Sequence, residues 1–373
     1  PPGDAASAAG RPLRGVHWPG PRQLQAPLST SRHCSRYTAQ SGSMGEFDLI
    51  ARYFTRPARP DGAVALGVGD DCALLAPAPG MQLAVSSDML VEGRHFFAGT
   101  DPERLGHKAL AVNLSDLAAC GARPLAFTLA LALPQVDAAW LEGFSRGLLQ
   151  LADTHGCELV GGDTTQGPLN ICITIFGEVP TGQALLRSGA RPSDDIYVSG
   201  TLGDARLALE ALQDQAAAAA LPAETLAAAR LRLEAPTPRV ALGLALRGVA
   251  SAALDVSDGL LGDLGHILRA SGVGACVDTS ITINLIAASA LPESTGCHFD
   301  LNFLHQCTLA GGDDYELLFT APAAARAAVA AASQASSTPV TRIGRIEAEP
   351  GVRLIDGQGQ AVVHRYASFD HFA

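Results

Sequence analysis

The chain has 373 residues, 47% of them hydrophobic, and a formal net charge of −11. That length can bury a large core and suits two domains. The acidic balance excludes a basic nucleic-acid surface and would repel a polyanion such as ATP unless cations intervened. Lys108 is the only lysine, so both the phosphate-loop lysine signature and the strand-lysine and catalytic-loop set of protein kinases are absent.

Residues 1–43 are rich in Pro, Ser, Ala, Gly and Arg, and set Asp4 against Arg11, Arg14, Arg22, Arg32 and Arg36. Without apolar periodicity or an amphipathic face they read as a disordered leader or a non-native extension, with Met44 the natural start. Apolar spacing predicts a helix from Glu46 to Phe54. The acidic stretch Gly67-Val68-Gly69-Asp70-Asp71 follows, and Gln82 to Ser87 reads as a strand with Asp88 at its end. Asp101-Pro102-Glu103 starts a helix that runs through Lys108 and Asn113 to a glycine stop at Gly121. Asn113 and Asp116 stand three apart and share one side of it. Ala126 to Leu133 is a strand, Asp137 caps a helix ended by Gly156, and Leu169 to Phe176 is another strand. The domain boundary falls near Val179-Pro180-Thr181-Gly182, giving domains of 44–180 and 181–373.

Beyond it, Asp195 to Ser199 is a strand and Thr201 to Asp204 a turn. Ala205 to Leu233 is an alanine-rich helix pair broken at Pro222. Asp258-Gly259 opens a helix ended by Gly272, Glu316 to Thr320 is a strand, and Pro322 to Ser333 a packing helix. Strands separated by helices indicate an α+β or mixed α/β layout. No run is long and apolar enough to span a bilayer. The eight cysteines include no Cys-x-x-Cys pair and read as reduced thiols of a cytoplasmic protein.

Glycines and hydroxyls beside acids recur through the chain. After Gly67 to Asp71 come Ser86-Ser87-Asp88, Asn113-Leu114-Ser115-Asp116, Gly161-Gly162-Asp163-Thr164-Thr165, Asp255-Val256-Ser257-Asp258-Gly259 and Gly311-Gly312-Asp313-Asp314-Tyr315-Glu316. One such stretch is ordinary turn vocabulary. Together they point to a shared polymetal site, because Mg²⁺ takes oxygen ligands from a few carboxylates and leaves other positions to substrate phosphates. Asp70 reads as a turn acid or a support behind the ligands.

Set in order, these stretches resemble the thiamine-monophosphate kinase family of the aminoimidazole ribonucleotide synthetase superfamily. The matching residues include Gly69-Asp70-Asp71-Cys72-Ala73-Leu74-Leu75, Asp88 to Phe96, Lys108 to Ala118, Gly161 to Thr165, Ser257 to Leu260 and Gly312 to Leu317. The resemblance implies a two-domain fold, with a β-rich N-terminal domain that builds a homodimer and an α/β domain beside it. It implies Mg²⁺-dependent transfer of the ATP γ-phosphoryl group to thiamine monophosphate, with several ions and with no nucleic-acid or membrane partner.

By the same resemblance Asp71, Ser86, Ser87, Asp88, Asp116, Asp163, Asp255 and Asp258 are Mg²⁺ ligands. Phe144, Gly162, Asp163, Arg187 and Ser257 are ATP contacts, while His95, Asp313 and Phe369 meet thiamine phosphate. Asp88, Asp116, Asp258 and Arg187 carry the catalytic role. Family members often have threonine at Ser87, glutamate at Asp313 and tyrosine at Phe144. The alternative for Phe369 is packing of the C-terminus, for Lys108 a plain ion pair with a nearby acid, and for Arg187 a solvated surface arginine. Three rival readings are a sister enzyme resembling selenophosphate synthetase, a metal-dependent phosphatase and a non-catalytic metal- or nucleotide-binding protein. The first needs a reactive cysteine in a glycine-rich segment, which Cys34 does not occupy. The second would release phosphate without ATP.

The nucleophile, a phosphate oxygen of thiamine monophosphate, is already anionic near neutral pH, so no strong base is required. The difficulty is bringing two polyanions together, which clustered cations solve. The start of the helix after Asp258 is expected to offer backbone N–H groups to phosphate.

Overall fold

The structure, a computed structural model, describes residues 45–57, 59, 62–68, 72–213, 221–286, 300–363 and 366. The leader 1–43, Asp70, Asp71 and Phe369 lie outside the described residues.

Helix α1 (Glu46–Tyr53) and the short pair β1 (Val64–Leu66) and β2 (Leu74–Leu75) precede the first sheet. That sheet comprises β3 (Met81–Val91), β4 (Arg123–Leu133), β5 (Glu158–Gln166) and β6 (Asn170–Pro180) in the order β3-β6-β4-β5. The β3 strand is longer than its sequence suggests, so Asp88 lies within it. The β5 strand occupies Gly161 to Thr165, which the sequence marks as turn vocabulary. There Gly162 adopts φ 149°, and a β carbon on it would stand 1.8 Å from the Leu129 carbonyl oxygen. Only glycine lets β5 pair this closely with β4.

Two helices cover one face of this sheet. Asp101 caps α2 (Pro102–Ala119) by accepting the Arg104 N–H at 3.0 Å, and Pro102 takes the first turn, where no amide partner is needed. Asp137 caps α3 (Ala138–His155), which closes at Gly156 in the left-handed region. The two helices cross almost backbone to backbone: a β carbon on Gly147 would lie 1.8 Å from the Glu103 carbonyl oxygen. Alternation along β6 turns Ile171, Ile173 and Ile175 into the core beneath these helices and leaves Cys172, Thr174 and Phe176 on the other face.

The second sheet contains β7 (Asp195–Ser199), β8 (Ala252–Val256), β9 (Gly274–Asp278), β10 (Glu316–Ala321), β11 (Val340–Glu347), β12 (Gly351–Ile355) and β13 (Ala361–Val362). Among the described residues its order is β13-β12-β9-β11-β7-β10-β8. Strands β7, β8 and β10 are buried at every position, which explains their mainly apolar sequences and means that their polar residues, Asp195, Ser199, Asp255, Glu316 and Thr320, are buried too. Helices α4 (Asp204–Gln213), α5 (Ala223–Glu234), α6 (Val240–Ala245), α7 (Leu260–Ser271), α8 (Thr279–Thr282), α9 (Leu301–Ala310) and α10 (Arg326–Ala335) complete the mixed α and β fold. The α4 and α5 helices are the expected alanine-rich pair, with Pro222 at the start of the second.

Helix α2 is the element both sheets share. It packs on α3, β3 and β6, and also on α6, β8 and β10. A helix so enclosed is buried all round through its central stretch, Lys108 to Ser115. Three of its polar residues, Lys108, Asn113 and Ser115, are buried there, so each needs a partner.

Candidate active site

Those partners define the site. Proceeding along α2, Lys108 Nζ reaches Asp313 Oδ1 at 2.8 Å, and Asn113 Oδ1 accepts the Asp88 backbone N–H at 3.2 Å. Ser115 Oγ donates to Asp255 Oδ2 at 2.6 Å, and Asp116 accepts from the Ser86 hydroxyl. One helix thus gathers an acid from β3, an acid from the end of β8 and the loop before β10.

The carboxyls repel one another in partial burial. Burial pushes Asp88 up to about 7, helped by Asp116 and then Asp258, and burial with Asp116 does the same to Asp255. Burial also raises Asp116, with its bond from Ser86 and the nearby Arg187 opposing the shift. Of the Asp88–Asp116 pair, Asp88 is the one that holds a proton more readily, because the bond between them favours charge on Asp116. An all-oxygen set with this excess of negative charge fits a hard divalent cation. Among the described residues no three His, Cys, Asp or Glu groups close into a cage. Mg²⁺ does not require one, since it keeps waters and substrate phosphates as ligands.

Asp258 follows β8, on the loop that leads to α7. The backbone there corrects one expectation. The N–H groups of Ser257, Asp258 and Gly259 all donate to Asp263 Oδ2, at 3.1, 3.0 and 3.1 Å, so these three amides are committed to a side chain and not to phosphate. Burial pushes Asp263 up to about 6. Asp263 sits four residues beyond Gly259, in the first turn of α7, and its reach-back is the signal that sequence reading missed.

Three other candidates fall elsewhere. Ser87 points away from Ser86 and Asp88, as strand alternation requires, and bonds Thr174 Oγ1 at 3.0 Å and the Ile173 carbonyl at 3.1 Å. Asp163 lies on β5, the edge opposite β3, and pairs in register with Ala130, whose side chain is exposed. Three strand steps separate the rows of Asp88 and Gly162, about 14 Å at ordinary strand spacing. A single cation cannot bridge that gap, so a shared site requires separate ions at its two ends. Phe144 has no exposed surface and stacks on Trp140 at 4.9 Å between ring centroids, so it offers no face to a nucleotide in this structure.

Arg187 is exposed and close enough to Asp116 to pull its carboxyl down. His95 is half-buried at the turn after β3, where its Nδ1 accepts the Val91 N–H at 3.0 Å. That bond leaves Nε2 to carry the proton of the neutral ring. His95, Phe97, Lys108 and Asp313 line one cleft of about 90 Å³.

Comparison with known proteins identifies the family. Residues 69–179 match the family model "AIR synthase related protein, N-terminal domain", and residues 191–357 match the corresponding C-terminal domain. The thiamine-monophosphate kinase of Salmonella typhimurium is 47% identical over 88% of this chain and 98% of that protein. The chain belongs to the thiamine-monophosphate kinase family. The thiamine-monophosphate kinase of Stenotrophomonas maltophilia K279a, a solved structure, is similar with a TM-score of 0.73 at 48% identity, covering 81% of this chain and 93% of that one. A structure described as AaThiL complexed with AMPPCP and TMP aligns with a TM-score of 0.64 at 27% identity, over 90% of this chain and all of that one. The family name matches the phosphotransferase reading and not the phosphatase or selenophosphate alternatives.

Proposed function

We propose that the chain transfers the γ-phosphoryl group of ATP to thiamine monophosphate, forming thiamine diphosphate and ADP, with Mg²⁺ held by Asp88, Asp116, Asp255 and Asp258. The observation that carries the reading is the convergence of these acids on α2 from two sheets, in a family of thiamine-monophosphate kinases. Bound Mg²⁺ would neutralise both phosphates and the charge that develops on the transferred group.

The chain's own residues do the rest. A terminal phosphate oxygen of thiamine monophosphate forms the new bond to the γ-phosphorus while the bond to the β-bridging oxygen breaks and its electrons leave with ADP. No side chain has to remove a proton, because the attacking phosphate oxygen is already anionic near neutral pH. Ser86, Asn113 and Ser115 fix the acids by hydrogen bonds, and Asp263 fixes the backbone of Ser257 to Gly259. Arg187 supplies mobile positive charge at the open side, in the role a lysine fills elsewhere. Gly162, Asp163 and Ser257 serve the nucleotide. The cleft of His95, Phe97 and Asp313 combines an aromatic wall with a carboxylate, which suits a cationic heteroaromatic ring such as thiazolium. Phe369 and Asp71, which lie outside the described residues, keep the roles the family resemblance gives them, a thiamine-phosphate contact and a Mg²⁺ ligand.

Domains of 44–180 and 181–373 pair into a cytoplasmic homodimer through the open face of the first sheet, where Leu83, Val85 and Met89 are exposed. Among the described residues no helix is long and apolar enough to cross a membrane. The deciding assay incubates the protein with thiamine monophosphate, ATP and Mg²⁺ and resolves the products by chromatography. Equal, Mg²⁺-dependent formation of thiamine diphosphate and ADP is expected. ATP consumption without thiamine diphosphate, or phosphate release in the ATP-free control, would refute the reading.

A further inference from the structure

Lys108 is the chain's only lysine, and it is buried: its side chain is 3% exposed. The ammonium has two partners, in residues that both line one cleft. It donates to Asp313 Oδ1 at 2.8 Å and to the backbone carbonyl of His95 at 3.3 Å. Asp313 comes from the loop before β10, while His95 closes the turn after β3, so the two arrive from different sheets and meet only where α2 passes between them. We propose that Lys108 is a positioning residue for substrate binding: its buried ammonium holds Asp313 and the His95 turn in one register and so shapes the thiamine-phosphate end of the site.

The local geometry supports this assignment. Asp313 and Tyr315 both have left-handed backbones, at φ 67° and 51°, a conformation that costs a non-glycine residue free energy and persists only when its surroundings fix it. Backbone bonds from Asp313 N to the Ser257 carbonyl at 2.9 Å and from Tyr315 N to the Val256 carbonyl at 2.8 Å supply part of that restraint. They hold the loop to the acidic cluster but do not orient the Asp313 carboxylate. Lys108 does, and the Tyr315 hydroxyl assists at 3.4 Å. Both donors engage Oδ1, which leaves Oδ2 for a ligand's positive charge. The same ammonium anchors the carbonyl of His95, whose ring is already tied to Val91. A guanidinium is larger and planar, and would not occupy this enclosed position without displacing the turn.

The inference rests on the kinase reading, and three measurements separate the two. Lys108→Met preserves length and apolar volume while removing the charge. It is expected to raise KM for thiamine monophosphate about tenfold or more, with kcat and KM for ATP within about threefold of the wild type, because binding shared by ground and transition states is lost. Asp313→Asn is expected to do the same, and the double variant to be no worse than Lys108→Met alone, since Lys108 acts through Asp313 and the His95 turn.

The third measurement needs no variant. With a single lysine, ¹³Cε-lysine labelling gives one side-chain resonance, which is expected to shift when thiamine monophosphate is added and to stay in place with ADP alone. A resonance indifferent to thiamine monophosphate would overturn the inference. So would a Lys108→Met enzyme with unchanged KM for thiamine monophosphate, one with both KM values raised alike, or additive effects in the double variant, all with the wild type turning over. A wild type that makes no thiamine diphosphate overturns the kinase reading and this inference with it.

Discussion

Asp88 carries two burdens at once. Its backbone is fixed by Asn113, and its carboxyl is crowded by Asp116 and Asp258, which together with burial push it up to about 7. Asp88→Asn removes the charge and almost no volume. Turnover is expected to fall by about 10²- to 10³-fold, the usual cost of losing one electrostatic contributor at a phosphoryl-transfer site. The melting temperature should hold or rise, because a crowded buried carboxyl is gone. Steady-state kinetics and thermal unfolding on one preparation check both halves, and near-normal turnover would remove Asp88 from the metal set. At this scale the sequence was informative about which residue types gather and poor about direction. Ser86 and Ser87 are adjacent hydroxyls with equal claims in a motif, yet alternation along β3 sends one to Asp116 and the other to Thr174. Phe144 shows the same limit, since helical spacing does not say which face turns to the core. Asp263 went unnoticed because an acid one turn into a helix is commonplace, and only the fold shows it gathering three amides.

The elements were more legible than their ends. Caps at Asp101 and Asp137 and stops at Gly156 and Gly272 bound helices where propensity places them, because a cap is decided by one or two residues. The β5 strand was hidden because Gly161-Gly162-Asp163 has turn composition, and its glycine answers to the neighbouring strand and not to local preference. Close helix approach is equally invisible locally, and it sets where α2 lies. Gly147→Ala puts a methyl carbon against the Glu103 carbonyl and must push α2 and α3 apart. A loss of about 2–4 kcal/mol is expected, typical of overpacking at a tight contact with some relaxation, together with reduced turnover because α2 carries Asp116. Denaturant unfolding checks the first, and an unchanged midpoint would mean the helices relax freely.

Ion pairs join elements as well. Asp195 on β7 accepts from Arg326 on α10 and from Arg342 on β11, and the Arg326 bond foremost, then Arg342, holds its carboxyl below the usual range. A carboxyl depressed in the folded state stabilises fully above its unfolded pKa, near 3.9, and loses that contribution as pH falls through the folded value. Asp195→Asn should therefore cost about 1–2 kcal/mol at pH 7, discounted because both arginines are half exposed. The gap from the wild type should close as pH falls below about 4. Melting temperatures across that range test the sign, and a gap that widened in acid would refute it.

At the scale of the whole molecule, the first sheet has one covered face and one open face. Helices α2 and α3 cover Ile171, Ile173 and Ile175, while Leu83, Val85 and Met89 on β3 remain 48%, 58% and 53% exposed. An edge strand of eleven residues bearing that row invites pairing or aggregation unless something covers it. Ser87 and the register partner of Asp163 share the open face, so two of the residues that fail to join Asp88 within one chain lie where a second copy would sit. Burying the rest of three such side chains contributes roughly 1 kcal/mol each, which becomes decisive when repeated on both copies of a two-fold interface. Val85→Glu places two charges into that apolar contact. Sedimentation velocity at micromolar protein should show a wild-type dimer and a Val85→Glu monomer, with dimer affinity weakened by about 10²-fold or more, as expected for unpaired charge in an apolar interface. Kinase activity should fall with the dimer fraction if Asp163 works across the interface, and should persist in the monomer if it does not. A wild type that sediments as a monomer would leave the open face without the partner assigned to it.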